Sequence, residues 1–514
     1  MQLDILDKEA SEVLSLIRSG KNGLSLINRL PRDVLALIPD FWGEHERDDS
    51  VVALTHVCRV WREVFTSRAS LWTNFRCASA ERTRVYIKRS KSAPINLWLE
   101  RKGGLSNDDP FLEVAPHAVR RLKYLSLKTT PDHLGDITQH LSQRAPHLES
   151  LTIDGSCISP DINPTLATTL FGGDLSSLRE LHLHSVRTQL HWRNMDNLTS
   201  FSLADVSDPT ISVGQVLDFF ESAPRLLEVG FSSAAPTFGA QNGRYVSLAN
   251  LKELSISGSQ SPSILLSHLI IPVGAKVSAK LDSYDPQIND YLPESLHNLK
   301  NLFNFTKIRL QAAHRLASVR FTGPDGEFCI TSTSSLGRTA ARLTHESLAR
   351  VDPSKTQCLE IINTRFMSHE LRQTFLSLKN LRTLVVDGSD TFSYLRGLDP
   401  STTTNSIMCP KLEEIVFRTS DRLRVKSMAD ILSRRAVKGA VLRALRIISP
   451  EEALPGEEVA ESFKQNSKVE TVITKSVPLA RIKTKKTENE GALVTILASG
   501  VEDPASGVSS DSSY

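Results

Sequence analysis

Charge of one sign is what this 514-residue sequence lacks most clearly: 61 Lys and Arg stand against 58 Asp and Glu, a formal net charge of +3. So even a balance sets up no long-range field to gather nucleic acid or an anionic membrane surface, and neither is an expected partner. Cysteine is scarce and scattered. The six thiols stand at 58, 77, 157, 329, 358 and 409, with no CxxC and no framework spacing. That argues against a disulfide scaffold and fits small buried side chains in a reducing compartment. Long apolar runs are missing too. The most apolar stretch, Ile264 to Val273, is broken by Ser267, His268 and Pro272, whereas a membrane-crossing helix needs about 20 apolar residues. The opening MQLDILDKEASEVL is acidic and lacks the basic-then-apolar build of a secretory signal. The expectation is a soluble chain of the cytoplasm, the nucleus or both.

Catalytic motifs are absent as well. The sequence offers no glycine-rich phosphate loop, nucleophile elbow or paired carboxylates, so a non-catalytic protein without metal or cofactor is expected. His182 and His184 alternate in LHLH, with His191 close behind, and alternation places the first two on one strand face. A zinc site needs at least three protein ligands, and no others stand nearby; exposed strand positions are the expectation. The basic run Arg481 to Lys486 reads as a solvated linker, with a weak nuclear signal as the alternative.

What is present is a folded composition, 40% hydrophobic and 23% charged, in a chain too long for one ordinary core. Several domains or one solenoid would accommodate it. Apolar steps at Leu6, Val13, Leu14 and Ile17 predict a leading helix within residues 1–26. In residues 27–75, Pro31 suits the first position of a short helix, Asp33 favours its positive end, and Val34, Leu35 and Ile38 share a face. Asp48-Asp49-Ser50 would cap a second helix. Its apolar positions (Val51, Leu54, Val57, Cys58, Trp61, Val64, Phe65) trace a single stripe at helical period. Residues 76–120 carry a further helix over 79–90 and an apolar strand, Pro94 to Leu99.

From residue 121 the pattern changes. Apolar residues recur at i, i+3 and i+5, beginning Leu122-Leu125-Leu127 and Leu148-Leu151-Ile153, then at Leu178, Leu198, Leu226 and Leu251. Steps of about 20–29 residues are those of leucine-rich repeats, each a strand plus a helix. The predicted fold is therefore α/β: a helical start followed by an irregular repeat solenoid, or horseshoe, of parallel strands with outer helices. The repeat region spans 121–258 and resumes over 358–450, where Leu359-Ile362, Leu381, Leu412 and Leu442 mark strands. Between them, 259–357 reads as an irregular insert, with a β-hairpin turning at Gly323-Pro324-Asp325-Gly326. Residues 451–501 are a weakly patterned C-terminal segment with strands at VETVIT and ALVTIL. Residues 502–514 are nearly devoid of apolar side chains, and disorder is expected there.

Taken together, Leu-Pro-x-Asp-Val-Leu-x-x-Ile, a loop and Val-Cys-Arg-x-Trp-Arg resemble an F-box. With Ser70-Leu71-Trp72, Arg89-Ser90 and the strand PINLWL following, residues 27–100 are similar to the F-box proteins numerous in mushroom-forming fungi. This chain has Asp33 where that family usually has Glu, and Arg68-Ala69 where it has a Pro shortly before Leu-Trp. The resemblance implies docking on the Skp-type adaptor of a cullin–RING (SCF-type) ubiquitin ligase through Leu30, Pro31, Val34, Leu35, Ile38, Val57, Cys58 and Trp61. The repeats would hold a protein target, with Tyr124, Lys128, Asp154, His182 and His184 as candidate contacts on the polar strand face. The alternative is a repeat scaffold that the helices merely cap, with no ubiquitin role.

Overall fold

The computed structural model describes residues 2–449, apart from 42–46, 102–108, 156–164, 167–169, 189, 191–194, 207–210, 235–242, 284, 314–315, 334–338, 389–390, 401–406 and 420–423, together with 471–476. The expected ALVTIL strand, the 481–486 run and the 502–514 tail lie outside these residues, as do Cys157 and His191.

The chain opens with helix α1 (Gln2–Leu24), longer than the apolar steps alone implied. Then come α2 (Arg32–Leu37), α3 (Arg47–Leu54) and α4 (Arg59–Ser67). The stripe expected over 51–65 is thus split between two helices. Its break has a local cause: Thr55 Oγ1 donates to Val52 O at 2.7 Å and Arg62 Nε to Thr55 O at 2.9 Å, so the helical ladder ends there. Cys58 caps α4 from extended backbone. Val51, Leu54, Trp61, Val64 and Phe65 still point inward, whereas Val57 sits in the turn, exposed.

Strand β1 (Asn74–Arg76) leads into α5 (Ala80–Arg89), whose Ser79 hydroxyl accepts from Arg82 N. The repeat region then unfolds as β2 (Ile95–Glu100), α6 (Pro110–Ala118), β3 (Leu122–Lys128), α7 (Pro131–Gln139), β4 (Ser150–Asp154), β5 (Glu180–His184) and β6 (Ser200–Ala204). Next come α8 (Val213–Ser222), β7 (Glu228–Ser232), the two-residue β8 (Val246–Ser247), β9 (Glu253–Gly258), α9 (Pro262–Leu266), β10 (Leu269–Ile270), β11 (Lys276–Leu281) and α10 (Ile288–Tyr291). A meander of β12 (Lys307–Ala313), β13 (Leu316–Thr322) and β14 (Glu327–Ser332) follows. The final described elements are α11 (Thr339–Leu348), β15 (Cys358–Ile362), α12 (Ser368–Ser377), β16 (Thr383–Asp387), α13 (Thr391–Gly397), β17 (Glu414–Arg418), α14 (Val425–Val437), β18 (Ala444–Ser449) and β19 (Thr471–Ser476).

Apart from the small β8–β10 pair, these strands form one 17-stranded sheet. Pairing runs in chain order from β1 to β7, on through β9 and β11, and in chain order again from β15 to β19. Between the two runs the meander is inserted backwards, with β14 beside β11 and β12 beside β15. Only β13 runs antiparallel to its neighbours. The segment expected as an irregular insert is therefore part of the sheet. Its hairpin turns where the glycines predicted, with Gly323 N donating to Gly326 O at 2.9 Å. At Gly326 a Cβ would stand 2.1 Å from Val273 O, so no other residue fits.

Alternation decides what the sheet buries. In every strand of the large sheet from β3 to β18, two apolar residues two positions apart face the core, such as Leu125 and Leu127, Leu254 and Ile256, or Ile415 and Phe417. The leading residue of each unit, Leu148 or Leu381 for example, is buried just before the strand. At β15 the inward set is Thr356, Leu359 and Ile361, with Ile362 half-buried, which corrects the phase expected from Leu359-Ile362. Helices α11 to α14 pack side by side in sequence. Among the described residues, no helix is long and apolar enough to cross a membrane.

The repeats are also stitched at their ends. Asn197, Asn250 and Asn380, each just before a buried leucine, donate Nδ2 to Ser176 O, Pro224 O and Ser354 O at 2.6 to 3.0 Å, one unit back. After the strands, Ser185, Asp205, Ser233 and Asn363 turn into left-handed backbone, φ between 48° and 53°. Each donates its N–H to a carbonyl at the end of the neighbouring strand in the sheet, at 2.6 to 2.8 Å. The turn lets the chain leave the sheet without stranding an amide.

Candidate functional site

The adaptor-docking candidates fall into two groups. Leu35 is fully buried and Trp61 is 6% exposed, so their side chains belong to the core and offer no surface to a partner. Trp61 is fixed on both sides: its Nε1 donates to Asn28 Oδ1, and its ring meets Phe65 edge-on, centroids 5.5 Å apart. Leu30, Pro31, Val34 and Val57 are exposed, and Ile38 and Cys58 half-buried. Val34 keeps 43% and Val57 52% of its surface. Leu37, Phe41 and Val60 join them, Phe41 at 86%, although sequence reasoning passed over all three. A four-residue step from Leu37 to Phe41 was the available signal.

This surface rests on a clamped base. Arg68 Nη2 meets Asp40 Oδ2 at 2.9 Å, and Nη1 donates to Ala36 O, so the end of α4 holds the end of α2. Arg32 and Glu63 pair at 3.2 Å across the same two helices. Arg68 thus has a structural task. On α1, Leu6, Val13, Leu14, Leu16 and Ile17 are exposed.

The polar side of the sheet carries the target-contact candidates. Tyr124 is half-buried and packs at a 41° tilt, ring centroids 5.1 Å apart, against Trp98, also half-buried and one strand over. Sequence reasoning left Trp98 in an apolar strand; with Ile95, Leu97 and Leu99 inward, alternation already sends it outward. Lys128, Asp154 and His184 adjoin across β3, β4 and β5. Lys128 Nζ lies 3.6 Å from Asp154 Oδ2, and His184 places Nδ1 3.1 Å from Asp154 Oδ1 and Nε2 2.7 Å from Asp205 Oδ2. Asp205 is a further member that sequence reasoning missed. His182 turns instead to Ser202 Oγ at 2.8 Å. The two imidazoles thus do not converge, and among the described residues no three His, Cys, Asp or Glu side chains are grouped to hold a metal ion. Ser150, on the same face, is buried.

From β3 to β11 the central row of this face is Ser126, Thr152, His182, Ser202, Gly230, Ser255 and Ser278. From the meander onward, on β12 and then β15 to β18, it becomes Arg309, Glu360, Val385, Val416 and Arg446. There charges pair across strands, Lys307 with Glu360 at 2.8 Å and Arg320 with Glu327 at 2.8 Å. The face offers hydroxyls and an aromatic pair at one end and paired charges at the other. No protein-family model matches this chain, and no curated protein matches it.

Proposed function

We propose that this chain is a substrate-recognition subunit of an SCF-type cullin–RING ubiquitin ligase, its helical module docking on a Skp-type adaptor and its sheet face holding a protein target. The observation that carries the reading is the apolar surface of Leu30, Val34, Leu37, Phe41 and Val57 on a module whose other side is locked into the core. Exposed apolar surface on a small rigid module is the ordinary mark of a docking site. The F-box resemblance supplies the partner. The mechanism is proximity: a target held on the sheet meets a ubiquitin-charged enzyme at raised effective concentration, and this chain contributes position rather than chemistry.

The test is co-purification of the adaptor with the full chain and with a Val34→Glu/Val57→Glu variant. Both positions are exposed, so the variant keeps its circular dichroism spectrum and thermal midpoint. The expected result is a stoichiometric complex for the unaltered chain and affinity weakened by at least about tenfold in the variant. A folded, unaltered chain that captures no adaptor overturns the reading and leaves a capped repeat scaffold.

A further inference from the structure

Where the helical module meets the start of the sheet there is a cavity of about 580 Å³. It opens between the turn after α3, the first turn of α4, Trp72 and the length of α5. Among the described residues, three guanidiniums (Arg62, Arg82 and Arg89) and the His56 imidazole line it, with Glu81 as the one carboxylate. Arginines gathered this densely normally find acidic partners. Among the described residues neither Arg62 nor Arg89 forms an ion pair.

Both are nevertheless held in place. Among the described residues Arg62 uses Nε alone, on Thr55 O, which leaves its two terminal nitrogens unspent there. Arg89 lies over Trp72, its Cζ 4.3 Å from the ring centroid, a cation–π contact that takes up none of its N–H groups in a hydrogen bond to a described residue. Trp72 is itself pinned, by Nε1 donating to Phe65 O at 2.8 Å and by Tyr86 edge-on at 5.0 Å. Arg82 lies 5.7 Å from that tyrosine's centroid. Burial above all, and repulsion from Arg62 in addition, draw the Arg89 pKa down. Charge that is oriented, crowded and partly desolvated is relieved by an anion.

We propose that this cavity binds a small phosphate-bearing molecule, a phosphate ester or short oligophosphate, whose oxygens take the unspent N–H groups of Arg62 and Arg89 with Arg82 and His56 alongside. The guanidinium fork matches phosphate oxygens two at a time, so Arg62 and Arg89 together suit a group carrying more than one negative charge. The volume falls within the range of small-molecule sites, well beyond a lone ion. A ligand there bridges the α3–α4 turn to α5, which packs on α6 and β1, and so braces the helical module against the sheet. The proposal is independent of any adaptor.

Isothermal titration of the full chain with pyrophosphate and with tripolyphosphate, against sulfate at matched ionic strength, tests it. The expected result is saturable one-to-one binding of tripolyphosphate, weaker for pyrophosphate and absent for sulfate, with a rise in thermal midpoint that follows ligand concentration. Arg62→Gln/Arg89→Gln weakens binding by about tenfold or more. Arg89→Lys, which keeps the charge and loses the fork, gives an intermediate loss and serves if the double variant unfolds. Arg225→Gln/Arg396→Gln, far from the cavity, leaves affinity unchanged. No saturable binding of either oligophosphate, or equal affinity in the Arg62→Gln/Arg89→Gln and unaltered chains, overturns the proposal.

Discussion

The helical module and the sheet treat apolar side chains in opposite ways. In the sheet each strand hands its inward pair to neighbours on both sides, and Leu151, Leu254, Leu359 and Leu445 are wholly buried. In the module the same residue types divide: Leu35 and Phe65 are buried, whereas Leu37, Phe41 and Val57 face solvent. A repeat closes its own core by stacking. A short hairpin has only one side to close. What it leaves open is set by geometry, and a sequence stripe alone does not tell the inner edge from the outer.

Truncation at one site of each kind would break or confirm that contrast most directly. Leu254→Ala should cost about 2–5 kcal/mol, because the residue is sealed between β7 and β11 and the site cannot collapse. Val34→Ala should stay within about 0.5 kcal/mol. Denaturant midpoints at unchanged slope would show both, and comparable losses would mean that the module's surface is not open. Next in size is Gly388→Ala. Its φ is 131° and a Cβ there would stand 2.7 Å from Asn363 Oδ1, so a loss of roughly 1–3 kcal/mol is expected. The equivalent change at Gly20 on α1, where a Cβ meets nothing within 4 Å, should stabilise slightly.

Smaller effects sharpen the picture of stitched repeats. Asn250→Ala and Asn380→Ala should each cost about 1 kcal/mol through one lost hydrogen bond. Far apart in the sheet, they should add in the double variant. Smallest is Asp387→Asn. Burial raises the Asp387 carboxyl pKa and outweighs Arg418, 3.8 Å away. An acid with a raised native pKa is held more weakly as the pH climbs, since the native state binds its proton more tightly than the unfolded chain. The Asn variant should therefore unfold slightly later than the unaltered chain at pH 7, with the difference closing toward about pH 3. An Asn variant less stable at pH 7 would mean that the Arg418 pair dominates.

The strands were legible because a period of two and a regular step leave little choice. Leu125-Leu127 and Leu384-Val386 face the core as their spacing requires. The helical stripe over 51–65 misled because periodicity does not record a turn whose backbone is taken by Thr55 and Arg62 side chains. Trp61 looked available for the same reason: its partner Asn28 lies 33 residues earlier. Asp205 and the Arg62–Arg89 pair were hidden differently. They come from separate elements that only folding brings together, and no local spacing announces them.

The backward meander has a consequence for how such a chain lengthens. β12 sets off in the direction of β15, β14 finishes in the direction of β11, and only β13 returns between them. Three being an odd number, the excursion amounts to one strand's travel: the chain enters at the end where every other repeat enters and departs where every other repeat departs. A two-stranded excursion would have turned the later repeats upside down. The architecture can therefore widen by two strands at a time, or shed two, while the register of everything downstream is kept.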